Sequence, residues 1–233
     1  MSFVSILIPI FNGIEFLEEC IDSVILQTFS NWEILIGING HGDDGGNVAF
    51  IANTIASKDS RIKVYVQPPP LKGKVESLND LMKKTTSKWI CILDCDDKWE
   101  STKLEKQIKA IEMEATEASV IGTFCKYFGD RDGSPTIPSG YINPNILESY
   151  NPIINSSAMI KREYCYWEYN DINYGIEDFH LWMMICLKGG KLYNIPEYLT
   201  WHRVHITSSF NYKGYSDEPL RIEYKKNRNQ NSI

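Results

Sequence analysis

The chain has 233 residues, room for one domain of generous size or one domain with a small lobe. Apolar residues make up 43% and charged residues 23%, an ordinary globular balance for which a full core is expected. The formal net charge is −6 and no Lys/Arg run is long enough to track a polyanion, which argues against a dedicated nucleic-acid binder and means that an anionic small ligand needs positive charge supplied locally, by a metal or by a few placed Lys and Arg residues.

In chain order, Val4 to Ile10 reads as a buried strand, with Pro9 near its end where a missing N–H is tolerated. Phe11-Asn12-Gly13 is a turn. Ile14, Leu17, Ile21, Val24 and Ile25 then fall on one helical stripe with the acids off it. Glu33 to Asn39 is a second strand, closed by the glycine-rich loop Gly40 to Gly46, and a helix follows over Asn47 to Ser57. Ile62 to Gln67 is a third strand, and Pro68-Pro69-Pro70 forces an extended connection. Gly73 to Thr85 reads as a helix, and the next strand runs from Trp89 into Asp94. Thr102 and Glu105 have the spacing of a capping box before Leu104, Ile108 and Ile111.

After residue 120 the pattern changes. Val120 to Phe128 is a strand, residues 129 to 150 are turn-rich, and Ile153 to Ile160 is another strand-like run. Glu177 to Leu187 is helical and Gly189-Gly190 stops it; Tyr193 to Arg203 returns as strands. The polar tail from Lys225 to Asn231 is expected to fray. Strands alternating with helices predict a doubly wound, mostly parallel sheet, in which ligands bind beyond the carboxyl ends of the strands. Asn12, Asn39 and Asp94 to Asp97 all lie at such ends and are expected to converge on one crevice. There is no repeat and no clear linker, so residues 1–233 read as a single domain with a nucleotide-type half (1–100) and a substrate half (101–233).

The six cysteines form no CxxC pair and most sit in apolar runs, the usage of a reduced, cytoplasmic protein. Cys95 lies between two acids, which raise a thiol's pKa and make it a poor nucleophile. The start of the chain carries no basic-then-apolar leader pattern, and no segment is apolar over the ~18 residues a bilayer span needs.

The most informative stretch is Trp89-Ile90-Cys91-Ile92-Leu93-Asp94-Cys95-Asp96-Asp97. Three carboxylates so close repel one another unless something positive sits among them, and hard cations such as Mg²⁺ or Mn²⁺ prefer oxygen ligands. The plainer alternative is a solvated acidic turn.

In this setting the chain resembles the family 2 glycosyltransferases of GT-A fold, over about Val4 to Ser209. The matching pieces come in the family's order: the opening strand and turn Val4 to Asn12, Leu26-Gln27-Thr28-Phe29, Gly73 to Asn79, the DXD-like Leu93 to Asp97, Asn155-Ser156-Ser157 with Gly175-Ile176-Glu177-Asp178, and Tyr198 to Ser208 with Arg203-Val204-His205. The resemblance implies an α/β, GT-A fold, a Rossmann-like sheet with helices on both faces and a smaller acceptor-side half. It also implies a metal-dependent, inverting transfer of a sugar from a nucleotide-diphosphate sugar, UDP-sugar favoured, to an acceptor hydroxyl on a glycan, lipid-linked or protein acceptor, with Mn²⁺ or Mg²⁺ as cofactor. Within it, Asp178 matches the general base. Asp97 is the first choice of metal ligand, Asp96 serves ribose or metal, and His205 supports the metal or the diphosphate. Asp94 holds the ribose or a neighbouring backbone group. Pro9, Phe11, Asn12 and Asn79 fall in donor-binding segments; Lys74 and Arg203 are placed for the diphosphate, Lys74 with an exposed helix lysine and Arg203 with packing as the alternatives. Glu177 and Trp182 fall on the acceptor side, Glu177 with stabilisation of the helix start as its alternative, while a plain helical core aromatic is the better reading of Trp182.

Asn39 departs from the family's usual acid. Its amide oxygen can accept from uracil N3–H, while its NH₂ can donate to an acceptor such as cytosine N3. Two other readings compete: a non-catalytic nucleotide-sugar or glycan-binding relic of the same fold, and an aspartyl-nucleophile phosphatase built on Asp94-x-Asp96. The phosphatase motif belongs on a first strand with Thr or Val where Lys98 stands here. Oligomeric state and the identity of the sugar are left open.

Overall fold

The computed structural model describes residues 3–39, 45–68, 73–169, 173, 175–206 and 216–230. The apolar runs become strands β1 (Val4–Ile10), β2 (Trp32–Ile38), β3 (Ile62–Val66) and β4 (Trp89–Ile92). Further strands are β5 (Lys98–Trp99), β6 (Ala118–Gly129), β7 (Gly140–Tyr141), β8 (Met159–Lys161) and β9 (Lys191–Val204). The order across the sheet is β3-β2-β1-β4-β8-β6-β9-β5, with β7 also on β9. The first four are mutually parallel, β8 is antiparallel to β4 and β6, and β6 runs parallel to β9. The result is the expected mostly parallel α/β sheet.

Side-chain alternation along β1 sends Val4, Ile6, Ile8 and Ile10 to one core and Leu7 to the other. The first core takes α1 (Leu17–Ile25), α2 (Gly45–Ala56) and Leu104 of α4 (Lys103–Met113). The second takes α3 (Gly73–Met82), α5 (Glu177–Leu187) and α6 (Glu218–Gln230). Both faces of the sheet are therefore covered by helices, as buried parallel strands require.

The structure corrects several local expectations. The run Ile153 to Ile160 is not one strand: Asn155–Ser157 forms a 3-10 turn, because Ser157 donates both its N–H (2.9 Å) and its hydroxyl (2.7 Å) back to the Ile154 carbonyl, and only then does β8 begin. Thr102 does not cap α4 with its side chain; Glu105 instead accepts from the Thr28 hydroxyl at 2.6 Å. The tail does not fray over residues 225–230. It forms α6, which buries Leu220 and Tyr224, one helical turn apart, and pairs Lys225 and Arg228 with Glu148. The loop residues 40–44, Pro69, Pro70, Thr207, Ser208 and Asn231 lie outside the described residues. Among those described, no helix is long and apolar enough to cross a membrane.

One side chain had no counterpart in the sequence reading. Lys103 is wholly buried, its Nζ donating to Gln107 Oε1 at 2.8 Å and standing 3.8 Å over the Trp99 ring. Burial pushes the ammonium down to about 8.

Candidate active site

The carboxyl ends of β1, β2 and β4 open on one cleft of about 1420 Å³. Its walls include Pro9 at the end of β1 and Phe11 and Asn12 just after it, Asn39 after β2, Asp94 to Asp96 after β4, Lys74 from α3, Glu177 and Asp178 from α5, and His202 and His205 at the end of β9. The strand ends thus converge as parallel-sheet topology requires.

The acidic stretch is a tight turn. The Asp97 N–H donates to the Asp94 carbonyl at 3.0 Å, so the alternation of a straight strand no longer sets where these side chains point. Asp94 is held by Lys74 Nζ at 2.6 Å and by the Asn155 amide at 3.2 Å, and its own N–H donates to the Ser156 hydroxyl at 3.2 Å. Burial works to raise its carboxyl, but the Lys74 ammonium and the Asn155 amide outweigh it and hold Asp94 below the ordinary carboxylate range. Asp96 faces the cleft, its Oδ2 2.9 Å from His205 Nε2. Burial, then Asp97 and Asp94, raise the Asp96 carboxyl against the pull of His205. Cys95 between them donates to the Asn12 carbonyl at 3.2 Å; burial and the flanking acids push its thiol far up, as its setting predicts.

Asp97 is placed differently from the first-choice metal ligand of the sequence reading. Its side chain has no exposed surface and does not line the cleft. Oδ1 accepts the Arg203 N–H at 2.8 Å, and Oδ2 lies 3.0 Å from His202 Nδ1. Burial disfavours a charged His202 ring, but Asp97, then Asp94 and Asp96, raise it to about 9, so the imidazole facing Asp97 is charged at neutral pH.

Three more expected site residues are used elsewhere. The Arg203 guanidinium donates to the Asp96 carbonyl at 3.0 Å and to Glu19, and stands 4.4 Å over Phe16 and 4.3 Å over Phe128; it braces the acidic turn instead of lining the cleft. Asn79 exchanges two hydrogen bonds with the backbone of Trp167, at 2.7 and 3.1 Å, and lies off the cleft wall. Trp182 is completely buried in the core beneath α5, because that helix is apolar around most of its circumference.

On the opposite wall, Asp178 sits in the first turn of α5. Its Oδ2 accepts the Asn151 amide at 2.8 Å. Burial raises its carboxyl and Glu177 adds to the push; Lys74, the Phe179 N–H and Asn151 partly offset them, leaving Asp178 at about 6. Lys74 links the two walls, 2.6 Å from Asp94 and 3.7 Å from Glu177. Asn39 donates its amide NH₂ to the Gly73 carbonyl at 3.0 Å.

Sequence reasoning missed Asn151, His202 and the cleft tyrosines Tyr127, Tyr150 and Tyr169. For Asn151 no local signal exists. For His202 the alternation of β9 is a signal, since His202 and Tyr127 share the sheet face opposite Trp201 and Lys126 across matched register pairs. Asn155 and Ser156 fall in a segment expected on the acceptor side, and the structure puts both against Asp94. Among the described residues, no group of three or more His, Cys, Asp or Glu side chains is arranged to hold a metal by itself.

Comparison with known proteins follows the same architecture. The family described as Glycosyl transferase family 2 matches residues 5–166. The Escherichia coli UDP-Glc:alpha-D-GlcNAc-diphosphoundecaprenol beta-1,3-glucosyltransferase WfaP is 30% identical over 221 residues, covering 89% of this chain and 80% of that protein. The putative teichuronic acid biosynthesis glycosyltransferase TuaG of Bacillus subtilis is 27% identical over 86% of this chain and 79% of its own. Among solved structures, S. aureus TarS 1-349 in complex with UDP-GlcNAc superposes with a TM-score of 0.73 at 14% identity, over all of this chain and 66% of that one. The mannosyltransferase PcManGT of Pyrobaculum calidifontis, in complex with GDP-Man and Mn²⁺, gives 0.65 at 18% identity over 94% of this chain and 60% of that one. At these identities the two structures speak to the fold alone, and the chain spans 66% of the first and 60% of the second.

Proposed function

The chain belongs to glycosyl transferase family 2 and is a glycosyltransferase of GT-A fold, and from that premise we propose an inverting transfer in which Asp178 is the general base. The observation that carries this reading is the pairing of two carboxylate environments across one cleft: Asp178 at about 6 on one wall, and the Asp94 to Asp96 turn on the other. A carboxyl poised near 6 is ionised at neutral pH and yet basic enough to take a proton from a hydroxyl in the transition state.

In this reading residues 1–100 bind the donor and residues 101–233 present the acceptor. Asp178 takes the proton of the acceptor hydroxyl. The hydroxyl oxygen bonds to the anomeric carbon from the face opposite the diphosphate, and the carbon–oxygen bond to the diphosphate breaks with its electron pair on the leaving group. Inversion follows from that in-line geometry. Lys74 supplies positive charge beside the leaving group while tied to Asp94. Pro9, Phe11 and Asn12 border the nucleoside. Because the Asn39 NH₂ is engaged by Gly73, its oxygen is the atom offered to the base, and an acceptor there favours uracil N3–H, hence a UDP-sugar.

The residues fit a divalent cation with Asp96 and His205 as the protein's donors, Asp97 being occupied behind them. Hard cations are commonly held by one or two protein carboxylates together with substrate phosphates, and a Mn²⁺ or Mg²⁺ ion held by Asp96 and His205 would supply positive charge against the negative charge of the leaving diphosphate. The raised Asp96 carboxyl, crowded by two other acids, is the local sign that positive charge is wanted.

The test is thermal unfolding with UDP, GDP and CDP, each with and without Mn²⁺, for the natural chain and for Asp96→Ala. A ligand at 100 times its Kd stabilises by about 2.7 kcal/mol. The expected result is a Mn²⁺-dependent shift with UDP that Asp96→Ala loses. A shift with another nucleotide reassigns the base read by Asn39, and no shift with any of them overturns the donor reading.

A further inference from the structure

We propose that Asn151 is the positioning residue of the base: its amide fixes the rotamer of Asp178 by holding one carboxylate oxygen, so that the other is presented to the acceptor hydroxyl. This inference rests on Asp178 being the base.

The geometry is specific. Asn151 Oδ1 accepts the Ile153 N–H at 3.2 Å, which settles which end of the amide points where. The NH₂ end is therefore the one directed at Asp178 Oδ2, 2.8 Å away. The segment carrying Asn151 is tied down on both sides. The Tyr150 N–H donates to the Ile146 carbonyl at 3.1 Å, the Pro152 carbonyl accepts from the buried Asn194 amide at 2.9 Å, and Ile153 is wholly buried. Further along the same segment, Asn155 holds Asp94. One short stretch thus grips the base on one wall and the acidic turn on the other, and sets their separation. Positioning of this kind is worth large factors in rate, since small displacements of a catalytic group spoil the in-line arrangement.

The charged groups facing Asp178 are Glu177 on its own helix and Lys74 from α3. Glu177 and burial favour the protonated acid. Lys74 and the Asn151 amide favour the carboxylate, and of these two side chains it is the amide that also fixes direction. A hydrogen bond to an ionised acceptor lowers its pKa, so loss of the bond raises it.

The experiment follows the Asp178 carboxyl carbon by NMR across pH 4 to 9 in protein labelled with ¹³C at aspartate carboxyls, the resonance being assigned by its disappearance in Asp178→Asn. The natural chain is expected to titrate near 6. Asn151→Ala is expected to move the midpoint up by roughly one pH unit, and the isosteric Asn151→Asp to move it further, since it replaces a donor with a negative charge. A midpoint unmoved in Asn151→Ala overturns the proposal, whatever Asn151→Asp does, since a new negative charge raises the midpoint by itself. If Asn151→Ala does not fold, Asn151→Ser keeps a shorter donor; a midpoint above the natural one supports the proposal, and an unmoved one overturns it. A purely structural role would lower stability and leave the midpoint in place. The titration needs no turnover, so it can fail while the base assignment stands; that assignment falls separately if Asp178→Asn keeps its transfer rate.

Discussion

The backbone N–H of Arg203 donates to Oδ1 of Asp97 at 2.8 Å, across 106 positions of chain. This bond, with His202 on the other oxygen, clamps the acidic turn to the end of the last long strand. The two adjacent aspartates are thereby sorted: Asp97 is buried structure, and Asp96 is left at the cleft.

That sorting is measurable. Asp97→Ala leaves a charged His202 and the Arg203 N–H without their buried carboxylate, and removing one partner of a buried pair typically costs about 3–5 kcal/mol. Chemical denaturation is expected to show a loss in that range. Asp96→Ala, whose side chain is partly exposed, is expected to unfold near the natural midpoint while losing Mn²⁺-dependent nucleotide binding. Equal destabilisation by both would contradict the sorting.

With Asp178 as the proposed base, the transfer rate is expected to rise about tenfold per pH unit below about 6 and to level off above it. Asp178→Asn is expected to lose a factor of about 10² to 10⁴ in rate. The stability effect has the opposite sense. The folded carboxyl holds its proton more tightly than the ordinary 3.8, so the folded state binds more protons between about 4 and 6 and loses stability as pH rises through that window. At pH 7 Asp178→Asn is therefore expected to raise stability, by about 1 kcal/mol once partial exposure is allowed for. Urea titrations at pH 4 and pH 7 check the sign.

Lys103 gives the cleanest linkage test. Its ammonium is lowered from 10.5 to about 8 by burial, so the unfolded chain binds more protons between those values and stability rises as pH climbs from 8 to 10.5. Below 8 the full cost of a buried charge is present, on the order of 3 kcal/mol. Lys103→Met, of similar length and able to pack on Trp99, is expected to stabilise the protein at pH 7 and to flatten the slope between pH 8 and 10.

Trp182 separates core from site. As a wholly buried core residue, its replacement by Ala should destabilise by about 3–5 kcal/mol. Trp182→Phe is expected to cost less and to leave the acceptor KM unchanged. A rise in acceptor KM without loss of stability would return Trp182 to the cleft wall.

Much of this protein was legible in the chain itself. The apolar runs ending at Ile10, Ile38 and Leu93 marked parallel strands by period and length, and the polar residues just beyond them, Asn12, Asn39 and Asp94, had to meet because parallel strands end on one side of a sheet. The abrupt change from Leu93 to three acids marked the site. Glu177 to Leu187 was readable to the residue, because Gly189 and Gly190 stop it. The helix of the tail is anchored by Leu220 and Tyr224, which precede the polar stretch from Lys225 that reads as frayed.

The tertiary structure alone decided which of these residues does what. Adjacent aspartates are chemically identical until a turn points one at His205 and the other at His202 and Arg203, residues more than 100 positions away. Lys103 shows no sign of burial in the sequence until Trp99 and Gln107 close over it, and Trp182, on a helix with few polar faces, reads more readily as core than as wall, which is where the fold puts it. Asn151 has no signature at all until folding brings it 2.8 Å from Asp178. Local pattern determines elements because backbone geometry is periodic. The assignment of partners is not periodic: it is set by contacts between distant segments, whose burial and charge exist only once the sheet is assembled.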